Sequence, residues 1–156
     1  MKNQMILIIP LFVLLLCFQG MLSQNTNPKY DADLAEKLGA DDYGMKQYVF
    51  VILKTGTNTS EDKVLKDSCF NGHFKNMKKM VADNKLVVAG PIGKNDKTYR
   101  GIFILNVSTL EEAKVLLQTD PAINAKFLEP ELYEWYGSAA LSEYLEASDK
   151  VWKKGF

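Results

Sequence analysis

The sequence predicts an α+β domain in which a four-stranded antiparallel sheet carries two helices on one face, and three observations lead to this fold class. Strongly apolar, β-branched segments and amphipathic segments follow one another in the order β-α-β-β-α-β. The 156 residues suffice for one domain and are too few for two. The central stretch, from Phe70 to Pro91, reads as an amphipathic helix, a short turn and a buried strand. This order is the split βαβ arrangement, with strand order 4-1-3-2.

The N-terminal segment is typical of a secretory signal peptide. Lys2 precedes an apolar run from Met5 to Phe18, and the polar stretch from Gln24 to Asn27 follows. The apolar run is too short for a membrane span, and the bulky residue before Cys17 disfavours lipidation. We therefore expect residues 1–23 to be cleaved, the protein to be exported to the periplasm or the extracellular space, and no stable membrane insertion afterwards.

Composition excludes several classes of function. Cleavage would remove one lysine and no acid from a chain with 19 basic and 19 acidic residues, which leaves a net charge of −1. That balance provides no basic excess for nucleic acid. Only Cys69 would remain, which excludes an internal disulfide. One histidine and one cysteine argue against zinc. We expect neither a metal nor a cofactor, although carboxylates leave a site for a harder cation open.

Residues 24–46 read as a linker that carries one short helix, from Asp33 to Leu38, with Gly39 at its C-cap position. A tether that packs loosely on the domain is the favoured interpretation, and a lid over the site is the alternative. The domain proper then spans residues 47–137. It opens with a strand from Tyr48 to Lys54, whose nearly continuous apolar character predicts a central position in the sheet.

The first helix of the domain is predicted from Ser68 to Asn84. Its apolar residues recur at helical spacing, and lysines take the opposite face. His73, the single histidine of the chain, falls on the core side in the predicted first turn. The residues expected on the buried face are Phe70, His73, Met77 and Val81, flanked by Phe74 and Met80.

Two strands joined by a hydrophilic connection come next. The first runs from Leu86 to Ala89 and ends at Gly90-Pro91. The connection covers Gly93 to Lys97, and the second strand runs from Tyr99 to Val107.

A second helix is predicted after these strands. Ser108 and Glu111 have the spacing of a capping box, which marks a helix start. The helix should end near Asp120, because Pro121 disfavours helical geometry in the residue before it.

A fourth strand is predicted from Lys126 to Tyr136. Pro130 lies inside it and cannot donate a ladder hydrogen bond, so we expect an edge strand or a bulge. Residues 138–156 form a C-terminal extension, with a helix from about Ala139 to Val151.

The predicted strand order brings residues that are distant in sequence to one edge of the sheet. His73 and Asp120 meet there, and a histidine beside a carboxylate is the minimal unit for general acid–base chemistry. Gly90, Pro91 and Arg100 reach the same edge. Backbone N–H groups around Gly90 and the charge of Arg100 would bind an anionic ligand. The sequence therefore predicts a candidate site at this edge.

Each of these residues also has a simpler interpretation. A lone histidine on an apolar helix face is often only a satisfied core residue. An aspartate before a proline at a helix end is often a stop signal. Arg100 at a strand end is usually solvated, and Cys69, one turn before His73, reads as a small buried hydrophobe.

Several motifs, in order, make the chain from about Tyr48 to Tyr136 resemble the YciI-like, or YCII-related, domain family. The resemblance rests on a valine-rich first strand, a histidine early in the first helix, and the strand end L-V-V-A-G-P at Leu86 to Pro91. G-I-F-I-L at Gly101 to Leu105 and S-T-L-E-E-A-K at Ser108 to Lys114 follow. Asp-Pro at Asp120 completes the pattern.

The resemblance implies a ferredoxin-like α+β fold that pairs into a dimeric barrel, and therefore a homodimer. It also implies that His73 and Asp120 are active-site residues. A related domain is associated with dehydrochlorination of a hydroxylated chloroaromatic, so the implied chemistry is lyase-like proton abstraction. Export and the C-terminal helix depart from the family pattern and leave the substrate class open.

Three hypotheses about function remain from the sequence. The first is a small exported enzyme in which His73, oriented by Asp120, acts on a small aromatic or anionic substrate beside Gly90-Pro91. The second is a non-catalytic module that binds a small molecule. The third is a dimeric interaction protein in which His73 and Asp120 form a structural pair. A solvent-reachable cavity that touches both residues favours the first two, and a buried, fully satisfied pair with no cavity favours the third.

Overall fold

The computed structural model describes residues 27–153, and the predicted signal peptide, residues 1–23, lies outside them. The described part contains one four-stranded antiparallel sheet in the order β2-β3-β1-β4. This confirms the predicted strand order and the central position of the first strand. The strands are β1 (Met45–Thr55), β2 (Leu86–Pro91), β3 (Tyr99–Leu105) and β4 (Leu128–Ser138).

Three helices cover one face of this sheet: α2 (Lys63–Ala82), α3 (Leu110–Leu117) and α4 (Pro121–Asn124). Their buried side chains form one apolar core with alternate residues of the strands, because successive side chains of a strand point to opposite faces. The strand residues of this core are Val49, Val51, Leu53, Leu86, Phe103, Leu105 and Leu128. The architecture is therefore α+β with the helices on one side, as predicted.

The start of α2 differs from the prediction. The helix begins at Lys63, because the Asp62 side chain accepts a hydrogen bond from the backbone N–H of Leu65 at 3.0 Å and caps the helix. The predicted start, Ser68, lies inside the helix. His73 is consequently in the middle of α2, and its predicted place in the first turn is wrong.

The buried face of α2 is also rotated from the predicted one. Its buried residues are Cys69, His73, Asn76 and Met80, whereas Val81 is 42% exposed. Phe70 and Met77 only border the core. The prediction included His73 but left out Asn76, a second polar residue in the stripe that faces the sheet.

The N-caps of α3 and α4 determine how the chain is folded around Asp120. The capping box of α3 consists of Thr109 and Glu112, one residue later than predicted. The helix ends at Leu117, three residues before the predicted end at Asp120, and Asp120 has a different role. It is the N-cap of α4, with Pro121 in the first turn, where a missing N–H costs nothing.

The fourth strand is an edge strand, as Pro130 predicts, but it starts at Leu128, two residues later than expected. Lys126 has a φ of 60° and closes the turn after α4, so the chain is not extended before Phe127. After β4, the predicted single helix divides into a 3₁₀ helix (Ala139–Tyr144) and α5 (Leu145–Val151).

The sheet face opposite the helices is apolar and only partly covered. We define the open face as Phe50, Ile52, Ile102, Ile104, Tyr133 and Trp135, which the strand register places on one side. Tyr48 at its end is fully buried, stacks on Trp135 with centroids 5.5 Å apart, and donates to the carbonyl of Ser138 at 2.9 Å. The other open-face side chains retain partial or full exposure.

The segment before β1 contains the predicted short helix, α1 (Ala32–Leu38), followed by Gly39 with a φ of 69°. Asp41 accepts a hydrogen bond from the Tyr136 hydroxyl and another from the N–H of Met45. The first bond lowers the pKa of Asp41 and raises the pKa of Tyr136 to about 12. These bonds connect the chain at Asp41 to β1 and β4. None of the helices between residues 27 and 153 is long and apolar enough to cross a membrane.

Candidate functional site

The structure brings His73 and Asp120 into direct contact. The Nδ1 atom of His73 lies 2.6 Å from Oδ2 of Asp120, although 47 residues separate them in sequence. The histidine side chain is 8% exposed and the aspartate side chain is fully buried. The pairing predicted from strand order is therefore present.

Asp120 is held from two sides. Its Oδ1 atom accepts hydrogen bonds from the backbone N–H groups of Ala122 at 2.9 Å and Ile123 at 3.3 Å, which caps α4. Its Oδ2 atom faces His73. An ionised carboxylate can only accept hydrogen bonds, so with Asp120 in that form the proton of the pair is on Nδ1 of His73. The neutral imidazole then has its lone pair on Nε2.

Three phenylalanines fix the plane of the His73 ring. Phe103 stacks on it with ring centroids 5.9 Å apart and planes inclined by 20°. Phe74 and Phe70 meet it edge-on at 5.5 and 6.2 Å. Packing on both sides and one strong hydrogen bond leave the ring a single orientation, which is what a positioned acid–base group requires.

A cavity of about 340 Å³ opens between α2 and the ends of β2 and β3. Most of its wall is aromatic or aliphatic. The predicted ligand-binding residues Gly90, Pro91 and Arg100 all contribute to it, and so does His73. Asp120 does not line the cavity. It therefore lies behind the histidine, which borders the cavity while its Nδ1 atom is paired with the carboxylate.

The predicted ligand-binding residues have different surroundings. Gly90 and Pro91 end β2, an edge strand. The neighbouring Gly101 must lack a side chain, because a Cβ atom there would lie 2.9 Å from the carbonyl oxygen of Gly90. Arg100 is exposed and borders the cavity, and within residues 27–153 no carboxylate forms an ion pair with it.

Gly72 belongs to the site, and sequence reasoning missed it. A Cβ atom at this position would lie 2.7 Å from Cγ and 3.2 Å from Cβ of Pro121. Only a glycine lets α2 approach the start of α4 this closely, and that approach sets the distance between His73 and Asp120. A glycine isolated in a helical pattern is the signal that could have identified it.

Asn76 is the second missed residue. It lies one turn after His73 on the buried stripe of α2, and its Oδ1 atom is 3.0 Å from the hydroxyl of Thr119. Thr119 precedes Asp120, so this contact is a second link between α2 and the same corner of the chain. The Nδ2 atom of Asn76 is buried and has no hydrogen-bond partner among the described residues. An asparagine inside an apolar helix face could have indicated this link.

The chemistry that the described residues themselves offer at this site is proton transfer. A positioned imidazole that borders an apolar cavity can act as a general base, and its protonated form as a general acid. Among the residues that the structure describes, no three His, Cys, Asp or Glu side chains lie close enough together to hold a metal ion.

Comparisons with known proteins find similarity among solved structures but not among family models or curated proteins. No family model matches the chain, and no curated protein matches it. Among solved structures, the chain is similar to 5-chloro-2-hydroxyhydroquinone dehydrochlorinase from Burkholderia phenoliruptrix AC1100, determined in complex with 2,5-dihydroxybenzoquinone. The TM-score is 0.39 and the identity is 20%, over 56% of this chain and 92% of that chain. The resemblance to the YciI-like family therefore stays a prediction from the sequence motifs.

Proposed function

We propose that this protein is a small enzyme that uses His73 as a general base and acid on a small molecule. The observation that carries the proposal is that one histidine both pairs with a buried carboxylate through Nδ1 and lines an apolar cavity. Buried titratable groups that reach a cavity in this way are typical of catalytic sites.

The proposed chemistry is an elimination. Nε2 of His73 removes a proton from the substrate, and the electrons of that bond form a new double bond as the leaving group departs. Asp120 stabilises the imidazolium that results, since its carboxylate lies 2.6 Å from Nδ1. The imidazolium then returns its proton to the leaving group or to water. The apolar wall keeps bulk water from competing for the proton.

The alternative is a binding module without catalysis. The cavity favours it as much as it favours an enzyme, because an apolar wall with few polar groups is what any small-molecule site offers. A purely structural role of the pair is the weaker interpretation, since the cavity reaches His73, although it does not reach Asp120.

Substitution His73→Gln separates enzyme from binder. Glutamine retains polar atoms and similar volume but cannot transfer protons, so a catalyst should lose turnover by about 10²- to 10⁴-fold while its ligand affinity changes little. Turnover is measured by NMR on small aromatic and unsaturated compounds that carry a leaving group. The matched control is Asn71→Gln on the exposed side of the same helix.

Two results would contradict the catalytic proposal. Wild-type turnover in the His73→Gln variant would show that the imidazole transfers no proton in the reaction. Saturable binding without turnover by the wild-type protein would favour the binding module.

We also propose that the protein forms a homodimer through the open face. That face is a row of partly exposed apolar side chains on paired strands, which a second copy would cover. We expect Ile104→Lys on this face to give a monomer, because it places a charge in the contact. Val64→Lys, on the exposed side of α2, should leave the dimer intact. Light scattering after size exclusion measures the mass, and a monomeric wild-type protein would contradict the proposal.

A further inference from the structure

The charges around the cavity are unevenly distributed. The described residues that line it include two basic ones, His73 and Arg100, and no aspartate or glutamate. A cationic ligand would find no counter-charge there. An anion would meet Arg100, whose planar guanidinium pairs with a carboxylate through two parallel hydrogen bonds.

The rest of the wall selects against strongly polar ligands. Phe70, Phe74 and Phe103 surround the histidine ring, and aliphatic residues complete the wall. A ligand with many hydroxyl groups would lose its hydrogen bonds to water without replacing them. Flat rings, in contrast, pack well against phenylalanine faces and edges. A volume of about 340 Å³ is at the small end for ligand cavities.

From these observations we propose that the ligand is a small aromatic carboxylate. Its ring lies among the phenylalanines beside His73, and its carboxylate is bound by Arg100. The inference rests on the proposed function only in using the same cavity, since it requires binding and no turnover.

The test uses 2-hydroxybenzoate and two probes that each differ from it in one property: the neutral 2-hydroxybenzamide and the saturated 2-hydroxycyclohexanecarboxylate. Affinity is measured by following backbone and His73 ring resonances of the purified protein. We expect 2-hydroxybenzoate to bind at least about tenfold more tightly than either other probe, a difference of about 1.4 kcal/mol.

Two variants assign the charge to Arg100. Arg100→Gln should weaken binding of 2-hydroxybenzoate about tenfold and leave the amide unaffected, whereas Arg100→Lys should retain part of the affinity as a point charge. The matched control is Lys97→Gln, which removes one positive charge from the exposed connection before β3 but does not touch the cavity wall.

The inference is overturned if the amide binds as tightly as the acid, if Lys97→Gln weakens binding as much as Arg100→Gln, or if 2-hydroxybenzoate does not bind below about 10 mM. These outcomes differ from a failure of the catalytic proposal. Arg100-dependent binding without turnover would leave the inference standing and remove only the enzyme. If the protein instead turns over a neutral compound in a reaction that requires His73, the catalytic proposal would stand and the inference of an anionic ligand would be removed.

Discussion

Gly72→Ala is expected to destabilise the protein and to disrupt the bond between His73 and Asp120, although alanine is the better helix former. In a helix interior, alanine should stabilise by about 1 kcal/mol relative to glycine. Here the new methyl group would lie 2.7 Å from Cγ of Pro121, a rigid ring that cannot move aside alone. Overpacking of this kind should cancel the gain from helix propensity and lower the free energy of unfolding by about a further 1–3 kcal/mol. Steric cost therefore outweighs helix propensity.

Two measurements check this result. Denaturant unfolding should show a lower midpoint for Gly72→Ala, while Asn71→Ala, the exposed neighbour in the same helix, should match the wild type or exceed it slightly. The proton on Nδ1 of His73, held by Asp120, should be observable by NMR in the wild type and lost or weakened in Gly72→Ala. A more stable Gly72→Ala variant would show that the two segments do not depend on this close approach.

A second substitution tests whether Pro121 is the cause. Pro121→Ala removes Cγ and Cδ and leaves only the Cβ atom, at 3.2 Å from the introduced methyl group. The double variant Gly72→Ala with Pro121→Ala should therefore recover much of the lost stability and the Nδ1 proton signal. Simple addition of the two single effects would place the origin of the damage elsewhere, because contacting residues are expected to couple.

Substitution of Asp120 should produce the largest loss. Asp120→Ala leaves the N–H groups of Ala122 and Ile123 without their cap and His73 without its partner, all in a fully buried position. The loss of a cap and of a buried hydrogen bond together should cost about 2–4 kcal/mol. Denaturant unfolding of wild type and variant measures the difference, and a change below about 1 kcal/mol would contradict this account of the corner.

Asp120→Asn separates the function of the carboxylate from its structural role. Asparagine caps a helix about as well as aspartate, so the loss of stability should be smaller than for alanine. Its NH₂ group would face Nδ1, which must then accept a hydrogen bond, and the ring proton moves to Nε2. We expect ¹⁵N NMR of the ring to show this change of tautomer and any turnover to fall as in His73→Gln.

The control for Asp120→Asn is Asp62→Asn, which makes the same change at the N-cap of α2, about three helical turns before His73. It should leave the tautomer of His73 unchanged. If Asp120→Asn also leaves the tautomer unchanged, the carboxylate does not orient the ring, and the acid–base proposal loses its basis.

The pairing of His73 with Asp120 could be predicted from the sequence, because two rules are enough for it. Apolar periodicity distinguishes strands from helices, and the split βαβ order then determines which segment ends share an edge. The same reasoning identified β4 as an edge strand from Pro130 and brought Arg100 and Gly90 to the cavity. These predictions depend on chain direction and order, which a sequence contains.

Contacts at atomic distance could not be predicted in this way. The polar stripe residue Asn76 and the close approach of Gly72 to Pro121 depend on how deeply α2 packs against α4, and no local pattern encodes that depth. The starts of the helices could not be predicted for a related reason. A helix begins where a side chain accepts hydrogen bonds from the free backbone N–H groups of the first turn, as Asp62, Thr109 and Asp120 do here.

The sequence by itself determined the fold class, the strand order and the edge at which the candidate site lies, since these depend on the alternation of apolar and polar residues along the chain. Only the tertiary structure decided that Asp120 lies behind His73 and outside the cavity, that one glycine sets the distance between them, and that the open face of the sheet stays partly exposed. Such features arise from close packing between segments distant in sequence, where differences below one ångström separate contact from clash.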